Sequence, residues 1–221
     1  MAVDARARIW FAVTALVVFV GIAIQVAAAM DAEGFFDTPA KRGLNVFVFF
    51  TIQANILVGI SSALLALDRA RQSPAFRALR LTALVSIAVT FVVFHAVLSD
   101  LQDLTGQAAV ADFLLHTASP VLCIAGWLLF GPRGQTTPRI VALTLAFPLV
   151  WGVFTLVRGE IVDWYPYPFM EPFEHGYVRV AVNLALVAVV FAALAAGAHW
   201  LDQRLPRPAT TAPTTEPAST G

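Results

Sequence analysis

The 221 residues are 59% hydrophobic and only 13% charged, with a mean hydropathy of +0.77. That composition excludes an ordinary soluble domain and predicts a polytopic helical membrane protein. Net charge is zero, which leaves no basic footprint for nucleic acid, and the single Cys123 can form no internal disulfide.

Six apolar runs follow in order, at about 9–30, 45–67, 81–98, 111–131, 140–157 and 177–201. Each holds about 18 to 25 residues, enough to cross roughly 30 Å of hydrocarbon at about 1.5 Å per residue. The expected fold class is all-α. Residues 1–205 should form a bundle of six transmembrane helices, and residues 206–221 a disordered Pro/Thr/Ala-rich tail. The first run follows Arg6 and Arg8 and is too long for a signal-peptide core, so it reads as a retained helix.

The positive residues set an expected orientation. The N-terminus, the 68–80 and 132–139 loops and the tail carry ten of the fourteen Lys and Arg residues. The alternate loops carry only Lys41, Arg42, Arg158 and Arg179. By the positive-inside rule both termini are cytoplasmic in a multi-pass protein of the cell membrane. Trp164, Tyr165, Tyr167 and Tyr177 then fall at the outer boundary, and Trp10, Trp127 and Trp200 at the inner one, as aromatic belts would.

The second run is apolar but not featureless. Thr51, Asn55, Gly59 and Ser62 recur at helical spacing and line one face, which should turn toward neighbouring helices rather than lipid. Thr51 should lie ~9 Å below the outer boundary, and His116 of the fourth run ~8 Å below it. His95 and Asn183 reach the same outer third, with His175 just above. Polar groups from four helices therefore gather at one depth.

Such a layer suits nucleophilic chemistry. A histidine can act as the base for a hydroxyl on another helix, and Asp112, four residues before His116, is placed to orient its ring. Asn55, Ser119 or Asn183 can donate to an oxyanion. The plainer alternative is that Thr51 bonds its own i−4 carbonyl, Phe47, and that the histidines are satisfied packing residues. The segment 159–176, GEIVDWYPYPFMEPFEHG, holds three prolines among aromatics and reads either as a lid and lipid entrance or as a rigid interfacial anchor.

FFTIQANILVGISSALLALDR, then FLLHTASPVL, then WYPYPFMEP resemble, in order and placement, the androgen-induced-gene-like family of six-helix membrane proteins and its bacterial relatives. The resemblance spans about residues 45–200. It implies a threonine hydrolase that splits fatty acid esters of hydroxy fatty acids, with Thr51 and His116 as its catalytic pair and no carboxylate. The substrate is then a lipid entering from the bilayer, and neither metal nor cofactor is required. Two other readings stand beside it: haem ligation by His95 and His116, and a non-enzymatic lipid-binding protein. A transporter or channel is disfavoured, because no charged residue interrupts the runs away from their ends.

Overall fold

The computed structural model describes residues 2–99 and 103–206. Most of the expected tail, residues 207–221, lies outside the described residues. Among the described residues the chain is all-helical. In chain order come α1 (Ala2–Asp31), α2 (Pro39–Asn45), α3 (Phe50–Leu67) and α4 (Pro74–Val93), which runs on into a π-helical turn at Phe94–Leu98. Next, α5 (Gly106–Phe113) passes through a second π-helical turn, Leu114–Ala118, into α6 (Ser119–Phe130). Then follow α7 (Pro138–Val162), the one-turn α8 (Pro172–His175) and α9 (Tyr177–Arg204). Six rods result that are long and apolar enough to cross a membrane: α1, α3, α4, the joined α5–α6, α7 and α9.

Several boundaries differ from the sequence expectation: α1 begins at Ala2 rather than near 9, α5 at Gly106 rather than near 111, and α7 ends at Val162 rather than near 157. Two further starts differ for clear local reasons. α4 begins at Pro74 rather than near 81, because Ser73 accepts a hydrogen bond from the Phe76 N–H and Pro74 takes the first helical position. α3 begins at Phe50 rather than near 45. Asn45 closes α2, Val46–Val48 form a 3-10 turn, and Phe49 is extended at φ −65°, ψ 135°. Thr51 therefore sits in the first turn of its helix. That break matters for the site.

α3 and α4 form the centre, with half of each buried, whereas α7 and α9 lie at the edge. Leu149, Val153, Ile161, Val178 and Leu186 are exposed on those edge helices. In water such faces would be aggregating patches, but in hydrocarbon an apolar surface needs no cover. The small and polar stripe of α3 turns inward as expected: Thr51, Asn55, Gly59 and Ser62 are all buried. At Gly59 a Cβ would meet the Phe19 ring at 2.8 Å and Val18 at 3.0 Å, so the glycine lets α1 and α3 approach closely.

At the end holding the chain termini, the loop before α7 is tied to α9. Asp202 accepts hydrogen bonds from the Gly134 N–H (2.9 Å), the Thr136 N–H (2.9 Å) and the Thr136 hydroxyl (2.8 Å). Buried Arg80 donates to the carbonyls of Gly131 and Pro132. These bonds satisfy the charges that enter the bundle from that end.

At the opposite end, residues 163–176 form a strap across the bundle. Trp164 packs edge-on against Phe36 and Phe49, and the Arg158 guanidinium lies over both Trp164 and Phe36. Tyr165 lies against Gly159, where any Cβ would collide with the ring. Of the four aromatics expected near this boundary, Tyr177 is exposed, Trp164 and Tyr167 are half-buried and Tyr165 is buried. Trp10 donates to the Leu122 carbonyl at 3.0 Å, which ties α1 to α6.

Candidate active site

Thr51 and His116 meet beneath the strap. Thr51 Oγ1 lies 3.2 Å from His116 Nε2. Two local irregularities make this possible. The chain break at Phe49 takes Thr51 out of the register in which it would bond Phe47; that carbonyl instead accepts from Gln53 at 3.2 Å. On the other side, Pro120 has no N–H to give the His116 carbonyl, and the ladder widens so that Ser119 N–H reaches back to Leu114. His116 rides on that widened turn. His95 rides on the matching turn of α4, where Ser99 N–H reaches back to Phe94.

Asp112 completes a line of three groups. Its Oδ1 stands 2.8 Å from His116 Nδ1, although this contact lacks hydrogen-bond alignment. A carboxylate beside Nδ1 favours the tautomer protonated there, which leaves Nε2 free to accept from Thr51. The Phe94 ring stacks on the imidazole, with centroids 4.0 Å apart and planes 9° apart, and holds its plane fixed.

The other sequence candidates take different places. Asn55 is fully buried and donates to the carbonyls of Thr51 (2.9 Å) and Leu115 (3.1 Å). It braces the helix of the hydroxyl against the helix of the histidine instead of pointing at the reacting atoms. Such interhelical bonds average only about 0.6 kcal/mol, so its value lies in fixing position. His95 is exposed, and its Nε2 lies 3.3 Å from the hydroxyl of Thr117, next to His116 in the chain. Asn183 donates to the Phe169 carbonyl at 2.9 Å and anchors the strap. Ser119 is fully buried with no partner for its hydroxyl. None of Asn55, Ser119 and Asn183 makes a hydrogen bond with the Thr51 hydroxyl, and the Asn55 amide nitrogen is already committed to two carbonyls. His175 and Glu174 are exposed at the end of the strap.

One polar group at the site was not expected. The Tyr167 hydroxyl accepts from the Thr51 N–H at 3.3 Å and stands 3.4 Å from Thr51 Oγ1. Its ring packs against Phe49, Trp151 and Phe169. Burial raises its pKa above the ordinary tyrosine value, against the smaller opposing effect of its hydrogen bonds to Thr51, so the phenol keeps its proton. In sequence Tyr167 was one aromatic among several in a proline-rich segment. The signal lies in the structure alone: α3 starts at Phe50 rather than near 45, without a side-chain cap, and leaves first-turn N–H groups in need of an outside acceptor.

Thr51 also stands between two cavities. One, about 460 Å³, is almost wholly apolar and lies among α3, α4, α7 and α9. The other, about 940 Å³, is lined by His116 and Asp112 together with Gln25, Asp103, Thr105 and the strap prolines. Thr51 and Tyr167 line both. Among the described residues no group of three or more His, Cys, Asp or Glu side chains is placed to hold a metal ion. No protein-family model, curated protein or solved structure matches this chain.

Asp112→Asn should lower the turnover of a Thr51-dependent reaction only modestly, while His116→Ala nearly abolishes it. The unaligned contact supplies charge near the ring but little directional restraint. Steady-state rates of the two variants check this, and equal, complete loss in both would make Asp112 a full third member.

Proposed function

We propose that this chain is an intramembrane hydrolase of lipid esters, of the type joining a fatty acid to a hydroxy fatty acid. The observation that carries the reading is the 3.2 Å approach of Thr51 Oγ1 to His116 Nε2, with Asp112 behind the ring. A free threonine hydroxyl is a poor nucleophile and needs a base within about 3.2 Å. Thr51 Oγ1 attacks the ester carbonyl while His116 takes its proton. The carbonyl oxygen, now negative, is met by the Tyr167 hydroxyl proton, while the Thr51 N–H keeps its bond to the Tyr167 oxygen. The positive end of the α3 dipole adds to this stabilisation. The tetrahedral intermediate expels the alcohol, which receives the proton from His116. Water, activated by the same histidine, then releases the fatty acid and restores Thr51.

The resemblance to the androgen-induced-gene-like family supports the same pair, and the strap and cavities suit a lipid arriving from the side. A fluorophosphonate probe tests the reading directly. The wild-type protein should be labelled and Thr51→Ala should not; equal labelling removes the nucleophile from Thr51. A non-enzymatic lipid-binding protein would also use these cavities, and it predicts no labelling of either form. Haem ligation fits less well. Both ring nitrogens of His116 have protein atoms within 3.2 Å, and the Phe94 ring covers its face.

We also infer from the charge bias that both termini are cytoplasmic, in the cell membrane, which puts this site in the outer leaflet. A reporter fused at residue 105 should then be accessible from outside and one at residue 75 from inside. Finding both on one side would overturn the orientation.

A further inference from the structure

The two cavities at Thr51 differ in more than polarity: His116 lines the larger one and not the apolar one. The sequence explains the apolar space. α7 contributes Pro148 and Gly152, and α9 Ala188 and Ala192, each pair one turn apart and all lining it. A Cβ at Gly152 would meet nothing within 4 Å, and the neighbouring Leu149 and Val153 are exposed toward the surrounding hydrocarbon. Small residues thus leave an apolar recess bordered by Thr51 on one side and by the outward-facing Leu149 and Val153 of α7 on another.

Building on the hydrolase reading, we infer that the apolar recess is the acyl-chain site, and that the alcohol half of the ester lies in the His116-lined cavity. The reason is the proton. When the C–O bond breaks, its electron pair leaves on the alcohol oxygen, which must take the proton His116 received from Thr51. The leaving oxygen is therefore on the His116 side. The acyl group, now bonded to Thr51 Oγ1, is left on the opposite side, where the recess receives its chain. Water for the second step then arrives through the cavity the alcohol has vacated, whose walls carry Gln25, Asp103 and Thr105. The acyl chain stays in place until the free acid forms.

The experiment uses purified full-length protein in detergent and two ester series. One varies the acyl chain from butyryl to palmitoyl on a fixed fluorogenic alcohol; the other fixes a butyryl group and lengthens the alcohol. Gly152→Phe, and separately Ala188→Phe, should lower the ratio of kcat/KM for palmitoyl over butyryl esters at least about tenfold. Ala109→Phe, in the His116-lined cavity, should instead penalise the longer alcohols. The assignment is overturned if Gly152→Phe and Ala188→Phe shift the alcohol series while the acyl series keeps its wild-type profile, or if neither series responds to any variant. Those outcomes leave the hydrolase reading intact. Absence of any Thr51-dependent hydrolysis in the wild type removes both.

Discussion

Replacing Thr51 by alanine or valine should abolish ester hydrolysis, while Thr51→Ser should keep measurable activity. Valine is the informative control, since it retains the β-branched shape and the backbone N–H that bonds Tyr167, and removes only the hydroxyl. Serine retains the hydroxyl within reach of His116 but has a freer side chain, so some rate is lost to misorientation. His116→Ala should cost about 10²–10⁴ in rate, the usual worth of a positioned base. Because Phe94 stacks on the imidazole, that variant also opens a gap, and His116→Gln serves as a better-filled comparison. Rates on a lipid ester, measured with protein of equal thermal stability, decide the matter. Full activity in Thr51→Val would end the mechanism.

Tyr167→Phe should lower kcat by about 10²–10³, the cost of losing one donor to a developing oxyanion, with KM little changed. Phenylalanine preserves the ring packing against Phe49, Trp151 and Phe169, so the strap should remain seated. The pH profile gives a second reading. Burial disfavours the phenolate and raises the Tyr167 pKa, so the donor stays protonated from neutral pH up to and past the ordinary tyrosine range. A tyrosine limb should therefore be absent from the activity profile below about pH 10. Wild-type turnover in Tyr167→Phe would mean that the hydroxyl only caps the first turn of α3.

The six rods were legible from apolar run length, and the inward stripe of α3 from its helical spacing. Neither depends on distant contacts. The Thr51–His116 pairing was expected too, from depths counted down from run starts near 45 and 111, although α3 starts at Phe50 and α5 at Gly106, so the contact itself comes from the structure. Depth says nothing about direction, however. Of the oxyanion candidates, Asn55 donates to two carbonyls and Asn183 to that of Phe169, while the buried Ser119 hydroxyl has no partner.

By itself, then, the sequence determined an all-helical bundle of six apolar rods, and which residues share a level within it. Those properties follow from composition and local periodicity. Tertiary structure decided what faces what. The extended Phe49 released Thr51 from the ordinary helical register, and the widened turn before Pro120 set the station of His116. The strap brought Tyr167 across 116 positions of chain to the Thr51 N–H. The small residues of α7 and α9 opened a recess only because the two helices stand on either side of it. The first two are local departures from regular helix, and the last two are relations between segments far apart in the chain, fixed by packing and by the need of buried polar groups for partners.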